Sequence, residues 1–152
     1  MLGPLRKRLP PWPLVLGCLL PDLIDKPLYY LLPRNALISG SRSFGHTLLF
    51  LVVLLAIAAA SKKKFFFALA AGVATHLALD IGGELFSGSD PEASIWRAIF
   101  WPLFHGQFPV GHFDSVIQHL VLSAQSEYVI AGEIIGGAIL LHAWWRRRRH
   151  SS

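Results

Sequence analysis

The chain is poor in cysteine, in charge and in acids. Cys18 is its one cysteine, which excludes an internal disulfide and a cysteine-rich zinc site; Cys18 itself reads as packing. Charged residues make up 15% against 53% hydrophobic, whereas soluble domains carry roughly a quarter charged, so an ordinary soluble domain is excluded. Asp and Glu number 9 against 14 Lys and Arg, for a net charge of +5. The basic residues sit in short blocks beside apolar runs, which fits topology signals and not a nucleic-acid-binding face. No Gly-x-Ser-x-Gly elbow is present, which sets serine-nucleophile chemistry aside. There is no internal repeat and no low-complexity tract beyond the C-terminal arginines. Pro10, Pro11, Pro13 and the early Asp22 do not read as a cleaved leader. The 152 residues read as one integral-membrane domain, with a core over about 12–145 and a basic tail over 146–152.

What is there is a set of apolar stretches near spanning length. The first covers about 12–32 and is interrupted by Pro21 and Pro27. The second covers 44–60 and ends at Lys62, Lys63 and Lys64. The third covers about 65–85 and is alanine-rich, able to pack closely against neighbours. The fourth covers about 128–145 and stops at Arg146. The expected fold class is all-α, a polytopic helix bundle with about four transmembrane helices. Arg6, Lys7 and Arg8, the lysine triplet and the terminal arginines are all cytoplasmic if the chain crosses four times with both termini inside. Arg34 and Arg42 in the first outer connection run mildly against this. The first segment is the weak element: it either spans in full or, with its two prolines, is broken or re-entrant, which the membrane tolerates only under cover of protein or a water-filled cavity. In the long outer connection, Asp90-Pro91-Glu92 reads as a helix start, followed by a short helix over 94–100 stopped by Pro102. A second short helix, from Asp114 or Ser115 to about Ser123, is expected to lie flat at the outer interface. Trp12, Tyr29, Tyr30, Trp101, Tyr128, Trp144 and Trp145 read as interface aromatics.

Within these apolar stretches stand ionisable residues. Asp22 and Asp25 lie in the first, His46 opens the second, His76 and Asp80 sit inside the third, and Glu133 lies in the fourth. At 1.5 Å per residue, all four segments place these groups roughly 18–24 Å from their cytoplasmic ends, one layer in a core about 30 Å thick. Taken singly, His76 reads as an interior histidine and Asp22 as an N-cap after Pro21. Taken together at one depth, they read as a metal or catalytic site, because ionisable groups at membrane depth are costly. His76 and Asp80 are spaced i,i+4 and share a helix face; Asp22 and Asp25 are spaced i,i+3. Carboxylates and imidazoles converging in a bundle suit one or two divalent ions. The expected ligands are Asp22, Asp25, His46, His76 and Asp80, with zinc the favoured ion. Asp25, Arg42 and Asp80 are the catalytic candidates, and His105 and Glu133 are candidate supports. Gly132 and Gly136 read as close helix packing, while His112, Asp114 and His119 read as solvated and His142 and His150 as surface residues.

Gly17-Cys-Leu-Leu-Pro-Asp22, Arg42-Ser-Phe-Gly-His46-Thr, His76-Leu-Ala-Leu-Asp80 and Phe100-Trp-Pro-Leu, in that order over about 14–104, resemble the YdjM-like family. Its members are described as membrane-bound, metal-dependent hydrolases, or LexA-binding inner-membrane hydrolases, a description that rests largely on motif similarity to zinc-dependent phospholipases. The resemblance implies an inner-membrane location in a prokaryotic cell. Two motifs depart from the family's pattern. Asp22-Leu-Ile-Asp25 is one residue longer than the usual Asp-x-Asp. Ser41-Arg42-Ser43-Phe44-Gly45-His46 lacks the first histidine and the threonine of His-Arg-x-x-Thr-His, so this chain must replace that histidine, with His105 one candidate, or hold one metal fewer.

The function expected is metal-assisted hydrolysis of a phospholipid or other lipid phosphoester at the outer face, with Arg42 placed to neutralise a phosphate or to anchor a headgroup. Membrane lipid and a lipid-like substrate are the expected partners; nucleic acid is not, and the sequence names no protein partner. A metal or proton carrier is the rival from another class, and an anchor for a regulatory protein a third reading. A carrier needs polar groups along a path, and 14–15, 51–60, 65–71 and 134–141 contain no ionisable side chain.

Overall fold

The computed structural model describes residues 9–32, 40–87, 94–103, 106, 108–110, 115, 117–118, 121, 125–132, 134–137 and 145. Among these there is no strand. By its internal contacts the chain divides into two compact units, Met1–His112 and Phe113–Ser152.

The first unit opens with α1, Pro11–Leu31, where the sequence leaves open a full span or a broken or re-entrant segment. Pro11 and Pro13 occupy its first turn, where backbone N–H groups have no intrahelical acceptor and a proline removes nothing. Pro21 and Pro27 lie in its interior, each deleting a ladder bond; the helix nevertheless runs through both. Its packing against α3 accounts for this. At Gly17 a Cβ would fall on the Leu69 carbonyl oxygen, and at Gly72 on that of Leu14, so the two backbones touch as only glycine permits. Such tertiary contact overrides local propensity.

A 3₁₀ turn, Phe44–His46, precedes α2, Leu48–Ser61. The sequence reading places His46 at the opening of the helix itself. Instead Thr47 is the N-cap: its Oγ1 accepts from the Phe50 N–H at 2.9 Å, and its own hydroxyl donates to the Phe44 carbonyl. Lys62 closes α2 in the left-handed region at φ 54°, its N–H returning to the Ala58 carbonyl at 2.9 Å. The chain then reverses into α3, Lys64–Ser87, close to the expected 65–85. A buried cluster of Leu54, Leu69, Ala70, Val73 and Leu77, with Leu16 and Leu20 against it, joins the three helices. A short helix α4, Ile95–Ile99, is capped by the Ser94 hydroxyl and buries Ile95, Ala98 and Ile99 with Phe108; Asp90, Pro91 and Glu92, read as the helix start, lie outside the described residues.

Among the described residues, one helix, Lys64–Phe86, is long and apolar enough to cross a membrane. The apolar α2 has 14 residues, about 21 Å of rise against a hydrocarbon core of about 30 Å. The 21-residue α1 carries Asp22, Asp25 and Lys26 on its way. Outward from this unit point Trp12, Leu19, Leu23, Leu48, Leu49, Val52, Val53, Leu55, Leu79, Leu85 and Phe86, all exposed. An exposed apolar surface of that extent is rare on soluble monomers.

In the second unit, backbone over 127–132 and 134–137 is helical, overlapping the expected fourth segment. Residues 117–118 and 121 are also helical, and the Ser115 hydroxyl accepts from the Gln118 N–H at 3.1 Å, within the expected interfacial helix.

Candidate metal centre

Three elements of the first unit meet at one point. The turn carrying His46 is drawn onto α1 by Gly45, where a Cβ would lie 2.8 Å from both Cα and the carbonyl oxygen of Pro21. That approach delivers three backbone N–H groups to one carboxylate, Asp25. Ser43 N–H donates to its Oδ2 at 2.7 Å, His46 N–H to the same atom at 3.3 Å, and Gly45 N–H to Oδ1 at 2.9 Å. His46 Nδ1 lies 2.7 Å from the same Oδ2. Asp25 is fully buried, and His46 is 1% exposed. A carboxylate already surrounded by N–H donors is an acceptor only, so Nδ1 donates to it and Nε2 is the ring nitrogen turned to the remaining groups. Asp25 thus stands behind His46 and holds its ring, the arrangement found behind metal-bound histidines. The sequence reading groups it with the ligands; its two oxygens are instead occupied.

In front of His46 Nε2 the remaining groups converge. His76 Nε2 is 3.1 Å away, Asp22 Oδ1 3.6 Å and Asp80 Oδ2 3.5 Å; His76 Nε2 to Asp80 Oδ2 is 3.9 Å. Asp22, His46 and His76 each offer one donor atom, all within 4.8 Å of one another. Metal–nitrogen and metal–oxygen bonds of about 2.0–2.2 Å put neighbouring ligand atoms of a tetrahedral ion about 3.3–3.6 Å apart. The separations bracket that value. Two imidazole nitrogens and carboxylate oxygens are also the donor types that suit zinc and similar divalent ions. Asp80 Oδ2 adds a second sign of fit: it is buried and has no hydrogen-bond partner among the described residues. The residues present therefore fit a divalent ion.

Two cations flank the cluster. Lys26 Nζ donates to Asp22 Oδ2 at 2.7 Å, one helical turn along α1, so Asp22 offers one oxygen to the cluster and the other to the ammonium. Arg42 Nε approaches Asp80 Oδ2 at 3.3 Å, an ion pair without hydrogen-bond alignment; the guanidinium is partly exposed. The sequence reading does not single out Lys26, although its i,i+4 spacing from Asp22 is the signal that finds it. Ser43 is likewise missed: its N–H anchors Asp25, and its buried Oγ has no hydrogen-bond partner among the described residues. His105 and Glu133, read as supports, lie outside the described residues, as do His112, Asp114, His119, His142 and His150.

The family model of the YdjM inner membrane protein matches residues 2–150. The chain belongs to that family. No curated protein matches it, and no solved structure does. The match runs beyond the stretch of about 14–104 over which the four motifs resemble the family, and takes in the second unit. The site motifs fall on α1, the 3₁₀ turn and α3 of the first unit, so this member of an inner-membrane family carries its candidate metal group there.

Proposed function

We propose that the protein is a membrane-embedded, metal-dependent hydrolase acting on a phospholipid or other lipid phosphoester at the outer face of the inner membrane. The single observation that carries this reading is the meeting of Asp22, His46 and His76, one donor atom from each, within 4.8 Å, with Asp80 and Arg42 beside them. Three protein ligands leave an open position, the pattern of catalytic and not structural metal sites. Zinc is the favoured ion on its nitrogen and oxygen donors. When bound, the ion supplies Lewis acidity and a water of lowered pKa.

Each side chain then has a task. Asp25 fixes the tautomer and direction of His46. Asp80, whose Oδ2 faces the cluster without a hydrogen bond, takes the proton of the attacking water. Arg42 neutralises a phosphate oxygen and holds it in line. In this reading the chain crosses the bilayer four times with both termini cytoplasmic, and the apolar flanks of α1, α2 and α3 meet lipid. A site at this depth is reached by a substrate that is itself a lipid.

Sealed proteoliposomes test this reading directly. The protein should hydrolyse a lipid phosphoester on the outward-facing side, in the presence of zinc, while passing neither zinc nor protons. Metal-dependent flux without turnover, abolished in His76→Ala, would make the carrier the better reading. The purely apolar stretches over 51–60 and 65–71 argue against it, since an ion crossing them meets no partner.

A further inference from the structure

The arrangement around Asp22 bears on how many ions the centre takes. A carboxylate shared by two metals gives one oxygen to each, with the ions about 3.5–4 Å apart. Asp22 turns one oxygen, Oδ1, to His46 Nε2 at 3.6 Å. Its other oxygen is held by the Lys26 ammonium at 2.7 Å. Asp25 has no oxygen to offer a second ion, because three backbone N–H groups and an imidazole occupy it. Asp80 turns its Oδ2 to the two imidazole nitrogens, and the Arg42 guanidinium lies 3.3 Å from that oxygen. The two imidazole nitrogens, 3.1 Å apart, also face one position. One donor atom each from Asp22, His46 and His76 thus surrounds one point, and the outer oxygen of Asp22, from which a second would be built, is paired with the Lys26 ammonium.

We propose that the centre is mononuclear and that Lys26 stands in place of a second metal ion. This rests on the reading of Asp22, His46 and His76 as metal ligands, and goes beyond it in assigning Lys26. The ammonium, placed one turn along α1 from Asp22, balances the carboxylate's outer oxygen and keeps that ligand monodentate. It also disfavours a further cation at that oxygen by like-charge repulsion. Lys26 is a positioning residue in this scheme: it acts on the metal through Asp22.

Metal content provides a test that needs no substrate. The full-length protein is purified in detergent, loaded with excess zinc, desalted and assayed for zinc per chain; the cobalt-loaded form is examined for magnetic coupling between ions. Wild type and Lys26→Met should each hold a single ion, with uncoupled cobalt. Lys26→Glu supplies a carboxylate where the ammonium stood and should hold a second ion, with coupled cobalt. Lys26→His makes the same test should Lys26→Glu lack a cooperative thermal transition. Two ions in the wild type would overturn the proposal, as would a single ion in a folded Lys26→Glu or Lys26→His. No ion in the wild type would remove the metal reading itself, and this proposal with it, whereas absent lipid turnover with one bound ion would fail the hydrolase reading and leave Lys26's role standing.

Discussion

Replacing Asp25 by asparagine separates a residue that orients a ligand from one that binds the metal. The substitution keeps the shape of the side chain and removes its charge and one acceptor. Oδ2 receives Ser43 N–H, His46 N–H and His46 Nδ1, while Oδ1 receives Gly45 N–H. The amide therefore turns its oxygen to the three donors and its NH₂ to Gly45, where two donors then face each other. The stranded Gly45 N–H costs about 1–3 kcal/mol, and the remaining bonds fall from charge-assisted to neutral strength. Together the loss of stability is on the order of 3–5 kcal/mol. At the metal the effect is indirect. His46 loses its anionic partner, and removing such a partner weakens metal binding about 10–100-fold, or about 1.4–2.7 kcal/mol. Zinc competition against a chelator of known affinity, with thermal unfolding of the same detergent-solubilised sample, reads both quantities. The expected result is a folded variant that still binds zinc at wild-type stoichiometry, more weakly. Complete loss of the ion would mean that Asp25 ligates directly, and wild-type affinity would mean that it does not govern His46; either result refutes the reasoning.

The other predictions divide ligand from base, test the helix contact and test the topology. His76→Ala should lose stoichiometric zinc in metal analysis, whereas Asp80→Asn should retain the ion and lose about 10²–10⁴-fold in turnover of a lipid phosphoester; loss of zinc in both would place Asp80 among the ligands. Gly17→Ala and Gly72→Ala should each destabilise the protein by about 1–3 kcal/mol, because the added methyl meets the backbone carbonyls of Leu69 and Leu14, while Gly132→Ala, with open space at its Cβ, should leave the melting temperature in place. In a Cys18→Ala background, a cysteine at Ser89 should react with an impermeant reagent from outside and one at Ser152 only after the membrane is opened. Labelling of Ser89 solely from inside would reverse the topology.

The parts of the fold that a local pattern determines were legible in the chain. The third apolar run announces α3 to within a residue or two at each end, because an uninterrupted apolar stretch has few alternatives to a helix. That His76 and Asp80 share a face follows from their spacing and needs no tertiary knowledge. The continuity of α1 was not legible, since Pro21 and Pro27 argue locally for a break and only the Gly17–Gly72 contact reverses them. The 3₁₀ turn was hidden for a related reason: Phe44, Gly45 and His46 extend an apolar run without a visible stop, although Thr47 before Leu48 is a capping residue. By type and depth Asp25 reads as a ligand. Its surroundings depend on residues 40–47 folding back over α1, a long-range event that no spacing encodes.

That fold-back ties the backbone and the chemistry together. Irregular backbone within a membrane protein must have its N–H groups satisfied internally, and the turn before α2 directs three of them to Asp25. The turn also carries His46 off the axis of α2, toward His76 on α3 and Asp22 on α1. One buried carboxylate thus closes the polar accounting of a helix break and sets the direction of an imidazole. An imidazole fixed from behind by a 2.7 Å bond, on a turn fixed by three more, gives its Nε2 little freedom to swing. Fixed ligands suit an ion that stays and activates a bound molecule; a carrier must hand its ion from one set of ligands to the next, which calls for ligands that move. The same rigidity that makes Asp25 costly to replace therefore favours the hydrolase over the carrier.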